Sequence, residues 1–281
     1  MLKPPSRVSV VIDSHTHLDY ADDPAEWIAR AVAVGVHGMV SVGCGAESIR
    51  NTLAIARAHP DHVRVAAGVH PQMAAAFDMS TFDEVAELAA DPLVVAIGET
   101  GFDQFRDHGT LEQQDPAFDA QCELARALGK PLVIHSRAAE AHTIAALDEH
   151  AADLDVILHC FALAEPDDLA VVLEHERWIC SFAGNLTYPS AQILRDAAAA
   201  IPLERLMVET DAPYLSPRPF RGKPNEPSYV QHTLQVLAEA KGITFEQARA
   251  GTVATAERVF GWIPAGAPAD AAAAVSKNAV D

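Results

Sequence analysis

The chain has 281 residues, of which 49% are hydrophobic and 21% are charged, and its formal net charge is −19 at pH 7. This composition is typical of a globular domain and excludes a disordered or fibrous chain. The negative charge disfavours binding to long stretches of duplex nucleic acid, because that affinity comes from Lys and Arg side chains that neutralise phosphates.

Short apolar runs alternate with helix-like segments along the chain. The predicted strands span 10–12, 37–42, 63–69, 93–97, 131–134, 156–158, 178–182 and 206–208. The predicted helices span 24–34, 47–58, 81–90, 112–128, 138–150, 167–174, 190–200, 228–240 and 245–259. Eight short buried strands alternating with helices predict an α/β fold of the closed (β/α)8 TIM-barrel type. The alternative is a doubly wound open sheet, which the absence of a GxGxxG or GxxxxGK(S/T) loop disfavours.

The barrel is expected to form a single domain over residues 8–263, including two extra C-terminal helices. Ala, Pro and Asp predominate over 264–281, which predicts a flexible tail. The four cysteines form no CxxC pair, which indicates reduced thiols rather than disulfides. No apolar run is long enough for a membrane span, and the N-terminus lacks a secretory pattern. We therefore expect a cytoplasmic protein without membrane contact, and no motif indicates an obligate protein partner.

The ends of the predicted strands carry residues suited to metal binding. The first strand leads into an Asp-x-His-x-His motif at 13–17, and residues i and i+2 of an extended chain face the same side. His15 and His17 can therefore reach one cation. The other strand ends supply Glu99, His135, His159 and Asp211. Because the C-terminal strand ends of a (β/α)8 barrel meet at one rim, we predict that all six residues form a metal site.

The number of these residues indicates two metal ions. Four imidazoles and two carboxylates exceed the need of one tetrahedral ion and suit two divalent cations about 3.5–4 Å apart. Two-metal barrel hydrolases often use a carboxylated lysine as the bridge, but none of the five lysines lies at the C-terminal end of a predicted strand. Glu99 is therefore the expected bridge. Imidazole-rich sites favour Zn²⁺, Mn²⁺ or Fe²⁺ over Mg²⁺.

Seven motifs follow one another along the chain. They are DSHTHL at 13–18, GVHP at 68–71, GETGFD at 98–103, PLVIHSR at 131–137, HCF at 159–161, ETDAPYL at 209–215 and RGKPNEP at 221–227. In this order they resemble the TatD family of metal-dependent deoxyribonucleases over nearly the whole chain. The resemblance implies one divalent ion held by His15, His17, Glu99 and Asp211, and another held by Glu99, His135 and His159. It also implies a Mg²⁺-supported 3′–5′ exonuclease that acts on single strands of DNA, with Mn²⁺ or Zn²⁺ as alternative ions.

The chain departs from the pattern of this family in three places. Phe102 and Gln104 stand where the family has leucine and tyrosine, Ala162 and Leu163 replace serine and glycine, and Thr255 replaces asparagine. None of them is a predicted metal ligand. Since Gln104 and Ala162 lie near the predicted rim, the departures bear on substrate preference rather than on catalysis.

The predicted reaction is in-line attack on a phosphodiester by a metal-activated hydroxide. Glu99 and Asp211 are the predicted catalytic carboxylates: Glu99 bridges the ions, while Asp211 orients the attacking water and accepts its proton. A purely ligating role for Asp211 is the alternative. Asp13 is expected either to orient a metal-binding residue without contacting the metal itself or to cap the turn after the first strand.

Several basic residues are expected to bind the substrate. His70 and Arg137 lie on the predicted rim and can hold a phosphate, although His70 before a proline can also serve as a turn residue. Arg221 lies with Arg218 and Lys223 in the loop after the last strand. In so acidic a chain, these cations predict a nucleic-acid substrate bound on a small footprint.

Two other functions remain open. The same site could cleave another ester or amide bond, such as that of a D-aminoacyl-tRNA, a reaction that relatives of this family perform. The barrel could instead be a non-catalytic binding module with structural metals. The cationic loop favours a phosphate substrate over another ester or amide. The complete ligand set disfavours a non-catalytic binding module. The substitution Asp211→Asn distinguishes a hydrolase from a binding module, because it should abolish hydrolysis and leave the function of a binding module unchanged.

Overall fold

Runs rich in valine, isoleucine and alanine form eight parallel strands in the order β1 to β8, and the computed structural model describes residues 10–106 and 109–265. The strands are β1 (Val11–Thr16), β2 (Val36–Cys44), β3 (Val63–Gly68), β4 (Val94–Asp103), β5 (Leu132–Arg137), β6 (Val156–Leu158), β7 (Trp178–Phe182) and β8 (Leu206–Val208). The alternation of strands and helices confirms the predicted (β/α)8 barrel.

Nine α-helices in the described part surround or follow the strands. They are α1 (Pro24–Ala33), α2 (Gly45–Ala58), α3 (Met79–Ala89), α4 (Leu111–Leu128), α5 (Glu140–His150), α6 (Pro166–Glu174), α7 (Gln192–Ala200), α8 (Val230–Lys241) and α9 (Phe245–Phe260). All of their ends lie within two residues of the predicted ends. Capping explains this agreement: in α4, Thr110 and Gln113 form a capping box, and Gly129 ends the helix in the left-handed conformation.

The sheet closes where the segment after β8 meets β1. The backbone N–H of Asp211 donates to the carbonyl of His15 at 2.9 Å, and the N–H of His17 donates to the carbonyl of Ala212 at 2.9 Å. The hydroxyl of Ser14 donates to the carbonyl of Val208 at 3.1 Å. Closure therefore places Asp211 directly beside the two histidines of β1.

Strand β4 is longer than predicted, so that Glu99 lies inside the strand and not after it. The continuous apolar run ends at Ile97 and predicted an earlier end, but pairing with β5 continues to Asp103. Gly101 permits this close pairing: its φ is +124°, and a Cβ at this position would overlap the carbonyl oxygen of His135. Glu99 and His135 consequently lie on adjacent, tightly paired strands.

Apolar side chains fill the interior of the barrel below the C-terminal ends of the strands. A buried cluster joins inward-facing strand residues such as Ile12, Val40 and Ile179 to Phe260 and Trp262 at the end of α9. The helices pack outside the strands through a second, larger cluster. The polar residues at the C-terminal strand ends therefore lie directly above a packed apolar core.

Five short 3-10 helices were not expected from the sequence, at Leu18–Tyr20, Pro71–Ala76, Gly184–Thr187, Leu203–Arg205 and Pro227–Tyr229. Most of the predicted tail at 264–281, and the first two residues of the expected domain at 8–263, lie outside the described residues. Within residues 10–106 and 109–265, no helix combines the length and the apolar character needed to span a bilayer.

Candidate metal centre

Glu99 lies at the centre of the site and is 3% exposed. Its Oε2 lies 3.4 Å from Nε2 of His15 and 4.0 Å from Nε2 of His17. Its Oε1 faces the opposite way, 2.7 Å from Nδ1 of His135 and 3.5 Å from Nε2 of His159. The two oxygens of one carboxylate therefore face two separate groups of histidines.

Asp211 completes the first of these groups. Its Oδ1 lies 3.5 Å from Nε2 of His17 and 3.9 Å from Nε2 of His15. The backbone of Asp211 is held in a left-handed conformation, with φ at +55°, by the hydrogen bond to the carbonyl of His15. The structure thus brings together all six residues that the sequence selected as ligands.

The donor set fits divalent metal ions. Ligand atoms of His15, His17 and Glu99 lie within 4.8 Å of one another. Both ring nitrogens of His15 are buried and have no hydrogen-bond partner. A buried polar atom without a partner is costly, and a bound metal ion would satisfy it.

The electrostatics of Glu99, Asp211 and His15 suit metal binding. Burial alone would raise the pKa of Glu99, but the surrounding histidines hold it well below its usual range. Burial and the positive charge of His159 lower the pKa of His15. Burial would raise the pKa of Asp211, but the hydrogen bond from His17 lowers it. Ionised carboxylates beside a neutral imidazole are the protonation forms that metal ions require.

Two carboxylates behind the histidines were missed by the sequence reasoning. Oε1 of Glu209 lies 2.8 Å from Nδ1 of His159 and accepts the backbone N–H of Cys160 at 2.7 Å. Oδ2 of Asp103 lies 3.2 Å from Nε2 of His135. The available signal was strand periodicity, because Glu99 and Asp103 are four residues apart on β4 and share a face.

Asp13 acts on the segment after β8. Its Oδ1 accepts the backbone N–H of Thr210 at 2.9 Å, and its Oδ2 accepts the hydroxyl of Thr210 at 2.6 Å. Its contact with the backbone N–H of His15 is longer, at 3.4 Å. Asp13 therefore positions Asp211 through the preceding residue and only weakly supports the histidines.

Of the predicted substrate residues, His70 contacts the cluster, whereas Arg137 and Arg221 stack on aromatic rings. Nε2 of His70 is 3.3 Å from Oε1 of Glu99, while Nδ1 of His70 accepts the backbone N–H of Gln72 at 3.1 Å. The guanidinium of Arg137, at the end of β5, lies 3.9 Å from the centre of the Phe105 ring. The guanidinium of Arg221 lies 4.4 Å from the ring centre of Tyr188.

Comparison with known proteins agrees with this geometry. The profile of the family described as TatD related DNase matches residues 12–261. The metal-dependent hydrolase TatD of Mycobacterium tuberculosis is 37% identical over 261 residues, covering 89% of this chain and 98% of that protein. The 3′-5′ ssDNA/RNA exonuclease TatD of Citrobacter rodentium is 36% identical over 256 residues, covering 88% and 95%.

A solved structure shows the same similarity. The crystal structure of YjjV, a TatD homolog from Escherichia coli K12, superposes with a TM-score of 0.83 at 27% identity. The match covers 91% of this chain and all of that one, 100%. The chain therefore belongs to the TatD family, as its motifs predicted, and is a metal-dependent hydrolase.

Proposed function

We propose that the protein is a two-metal phosphodiesterase that removes nucleotides from the 3′ end of single-stranded DNA. The observation that carries this proposal is the position of Glu99, whose two oxygens face two separate groups of histidines. A carboxylate in this position bridges two ions, as two-metal hydrolytic sites require. The similarity to proteins named 3′-5′ ssDNA/RNA exonuclease supports the choice of substrate.

The proposed ligand sets follow from the distances around Glu99. One ion would be held by His15, His17, Asp211 and Glu99, and the other by His135, His159 and Glu99. When bound, the two ions lower the pKa of water and neutralise charge on the phosphate. We propose Mg²⁺ or Mn²⁺ as the working ions, with Zn²⁺ as the alternative favoured by the imidazoles.

Asp211 is the proposed general base. Its side chain is 14% exposed and lies between the buried histidines and solvent, where the attacking water enters. The carboxylate orients this water in line with the phosphorus and accepts its proton. Hydrogen bonds on both sides, from the backbone of Asp211 and from that of Thr210, keep the side chain in place.

His70 and Arg137 are the proposed phosphate-binding residues. Because Nδ1 of His70 accepts a backbone hydrogen bond, a neutral ring carries its proton on Nε2, which faces the cluster. His70 is therefore a hydrogen-bond donor toward Glu99 or a phosphate oxygen and not a metal ligand. Arg137 supplies a fixed positive charge, and Arg221 supplies a second one in the loop after β8.

The test is digestion of 5′-labelled oligonucleotides, single-stranded and duplex, with Mg²⁺, Mn²⁺ or Zn²⁺ and with a chelator. We expect a ladder of shortened single strands that depends on the ion, and loss of the ladder in Asp211→Asn. An aminoacyl ester of tRNA is assayed in parallel. Intact oligonucleotides under every condition, together with cleavage of the ester, would refute the proposal and support the alternative hydrolase.

A further inference from the structure

Three aromatic side chains are exposed in the part of the chain that the structure describes, and all three lie at the metal end of the barrel. They are Tyr20 at 52%, Phe105 at 64% and Tyr214 at 53% exposure. Tyr20 follows β1 and Phe105 follows β4, and both strands carry proposed metal ligands. Tyr214 follows β8 and lies three residues after Asp211. Large apolar surfaces that cluster at one place on a protein mark a binding surface rather than ordinary packing.

Two of the three rings form a pair beside the first metal group. The ring of Tyr20 stacks on His17, with centroids 5.2 Å apart and an angle of 14° between planes. The ring of Tyr214 meets Tyr20 edge-on at 6.4 Å. The backbone N–H of Tyr214 donates to the carbonyl of Asp211 at 2.8 Å, so the ring is tied to the catalytic segment.

The third ring lies on the side of the second metal group. The backbone N–H of Phe105 donates to Oδ1 of Asp103 at 2.9 Å, and the other oxygen of Asp103 contacts His135. The guanidinium of Arg137 covers one face of the Phe105 ring. One carboxylate therefore fixes a proposed metal ligand and an exposed aromatic ring at the same time.

The chemistry of such rings matches nucleobases. Every base has a flat π-face, so exposed aromatic rings bind single strands by stacking and with little sequence preference. A positive guanidinium beside the ring adds an attraction for the phosphate backbone. In a chain of net charge −19, stacking also supplies affinity that an electrostatic groove cannot.

Resting on the proposed function, we propose that the Tyr20–Tyr214 pair and Phe105 are two stacking platforms for bases on either side of the bound phosphate. Bases inside a duplex are stacked on both neighbours, so they cannot turn their faces to two separate rings. The platforms therefore select an unpaired strand end and would hold the phosphate between the two bases beside the proposed metal ligands. Gln104, one of the departures from the family pattern, immediately precedes the second platform.

The test compares two strands that differ only in their bases. One is a single-stranded oligonucleotide, and the other has abasic residues in place of its last two nucleotides. For Phe105→Ala and for Tyr214→Ala, we expect KM for the complete strand to rise about five- to 150-fold, equivalent to about 1–3 kcal/mol at 1.4 kcal/mol per tenfold. For the abasic strand, which has no bases to stack at these positions, KM should change little.

Three controls separate stacking from a merely structural role. Phe105→Tyr and Tyr214→Phe keep a ring and should restore KM to nearly the original value. Leu173→Ala removes an exposed apolar side chain at the other end of the barrel, beside Arg205, and should affect neither strand. Independently of activity, a strand ending in 2-aminopurine should lose fluorescence on binding the protein in chelator, and lose less with Phe105→Ala.

The outcomes distinguish this inference from the proposed function. If the protein cleaves the complete strand but the alanine variants raise KM equally for both strands, or for neither, the platforms are refuted while the nuclease stands. If the unaltered protein neither cleaves nor binds any oligonucleotide, both proposals fall together.

Discussion

Oε1 of Glu209 lies 2.8 Å from Nδ1 of His159, and both side chains are buried beneath the metal centre. Nε2 of the same ring points to Glu99 at 3.5 Å. A metal-binding imidazole is usually oriented by a carboxylate on its other nitrogen, which also makes the ring a better ligand. We therefore expect Glu209 to determine which nitrogen of His159 faces a bound metal ion.

The substitution Glu209→Gln keeps the shape of this contact and removes its charge. We expect the affinity for the divalent ion to fall about 10- to 100-fold, while kcat at saturating metal falls less. Isothermal titration calorimetry of the metal-free protein measures the affinity. Glu204→Gln is the matched control, since Glu204 is an exposed carboxylate before β8. Equal affinities for Glu209→Gln and the unaltered protein would show that Glu209 has no influence on the metals.

Metal affinity should depend on pH through His159. Burial alone would lower the pKa of His159, but the negative charges of Glu209 and Glu99 raise it to about 10 in the absence of metal. The protonated ring stabilises the metal-free fold most below its unfolded pKa of about 6.5, and this contribution disappears as the pH rises through 10. A metal ion must displace this proton.

We therefore expect metal binding to release a proton between pH 7 and 9, and the apparent affinity to rise by about tenfold per pH unit. Calorimetry in buffers of different ionisation enthalpy counts the protons released. In Glu209→Gln the pKa of His159 loses its main support, so fewer protons should be released. A pH-independent affinity in the unaltered protein would contradict the assignment of His159 as a ligand.

The sequence predicted the number and order of the strands, because β-branched runs mark buried strands and a parallel barrel collects their ends at one rim, but it ended β1, β4 and β5 three to six residues too early. It placed Glu99 after β4, since pairing beyond Ile97 depends on glycines that only the neighbouring strand explains. It missed the partners behind the histidines for a different reason. Glu209 reaches Cys160 across 49 residues, and no local pattern contains that distance.

Barrel closure should depend on Asp13. Its carboxylate accepts both the backbone N–H and the hydroxyl of Thr210, and both groups are buried. Asp13→Ala leaves them without a partner, which should lower the free energy of unfolding by about 2–4 kcal/mol. Urea denaturation measures the change, and Asp22→Ala, an exposed carboxylate nearby in sequence, serves as the control. A loss below that of the control would mean that Thr210 finds another acceptor.

The side chain of Gln121 should be as important for stability on the side of the site formed by β3 and β4. Its side chain, wholly buried on α4, accepts the backbone N–H of Val69 at 2.8 Å and donates to the carbonyl of Val69 at 3.0 Å and the hydroxyl of Thr100 at 2.6 Å. Val69 precedes His70 and Thr100 follows Glu99, so one amide holds the ends of β3 and β4 in register.

The substitution Gln121→Leu fills the same space and removes these hydrogen bonds. Because the N–H and carbonyl of Val69 would remain buried without partners, we expect the free energy of unfolding to fall by about 2–5 kcal/mol. We also expect metal affinity to fall, since His70 and Glu99 lose their common support. Gln235→Leu, on the exposed face of α8, controls for the change of residue type. If Gln121→Leu unfolds at the same urea concentration as Gln235→Leu, the register of the two strands is set by backbone pairing alone.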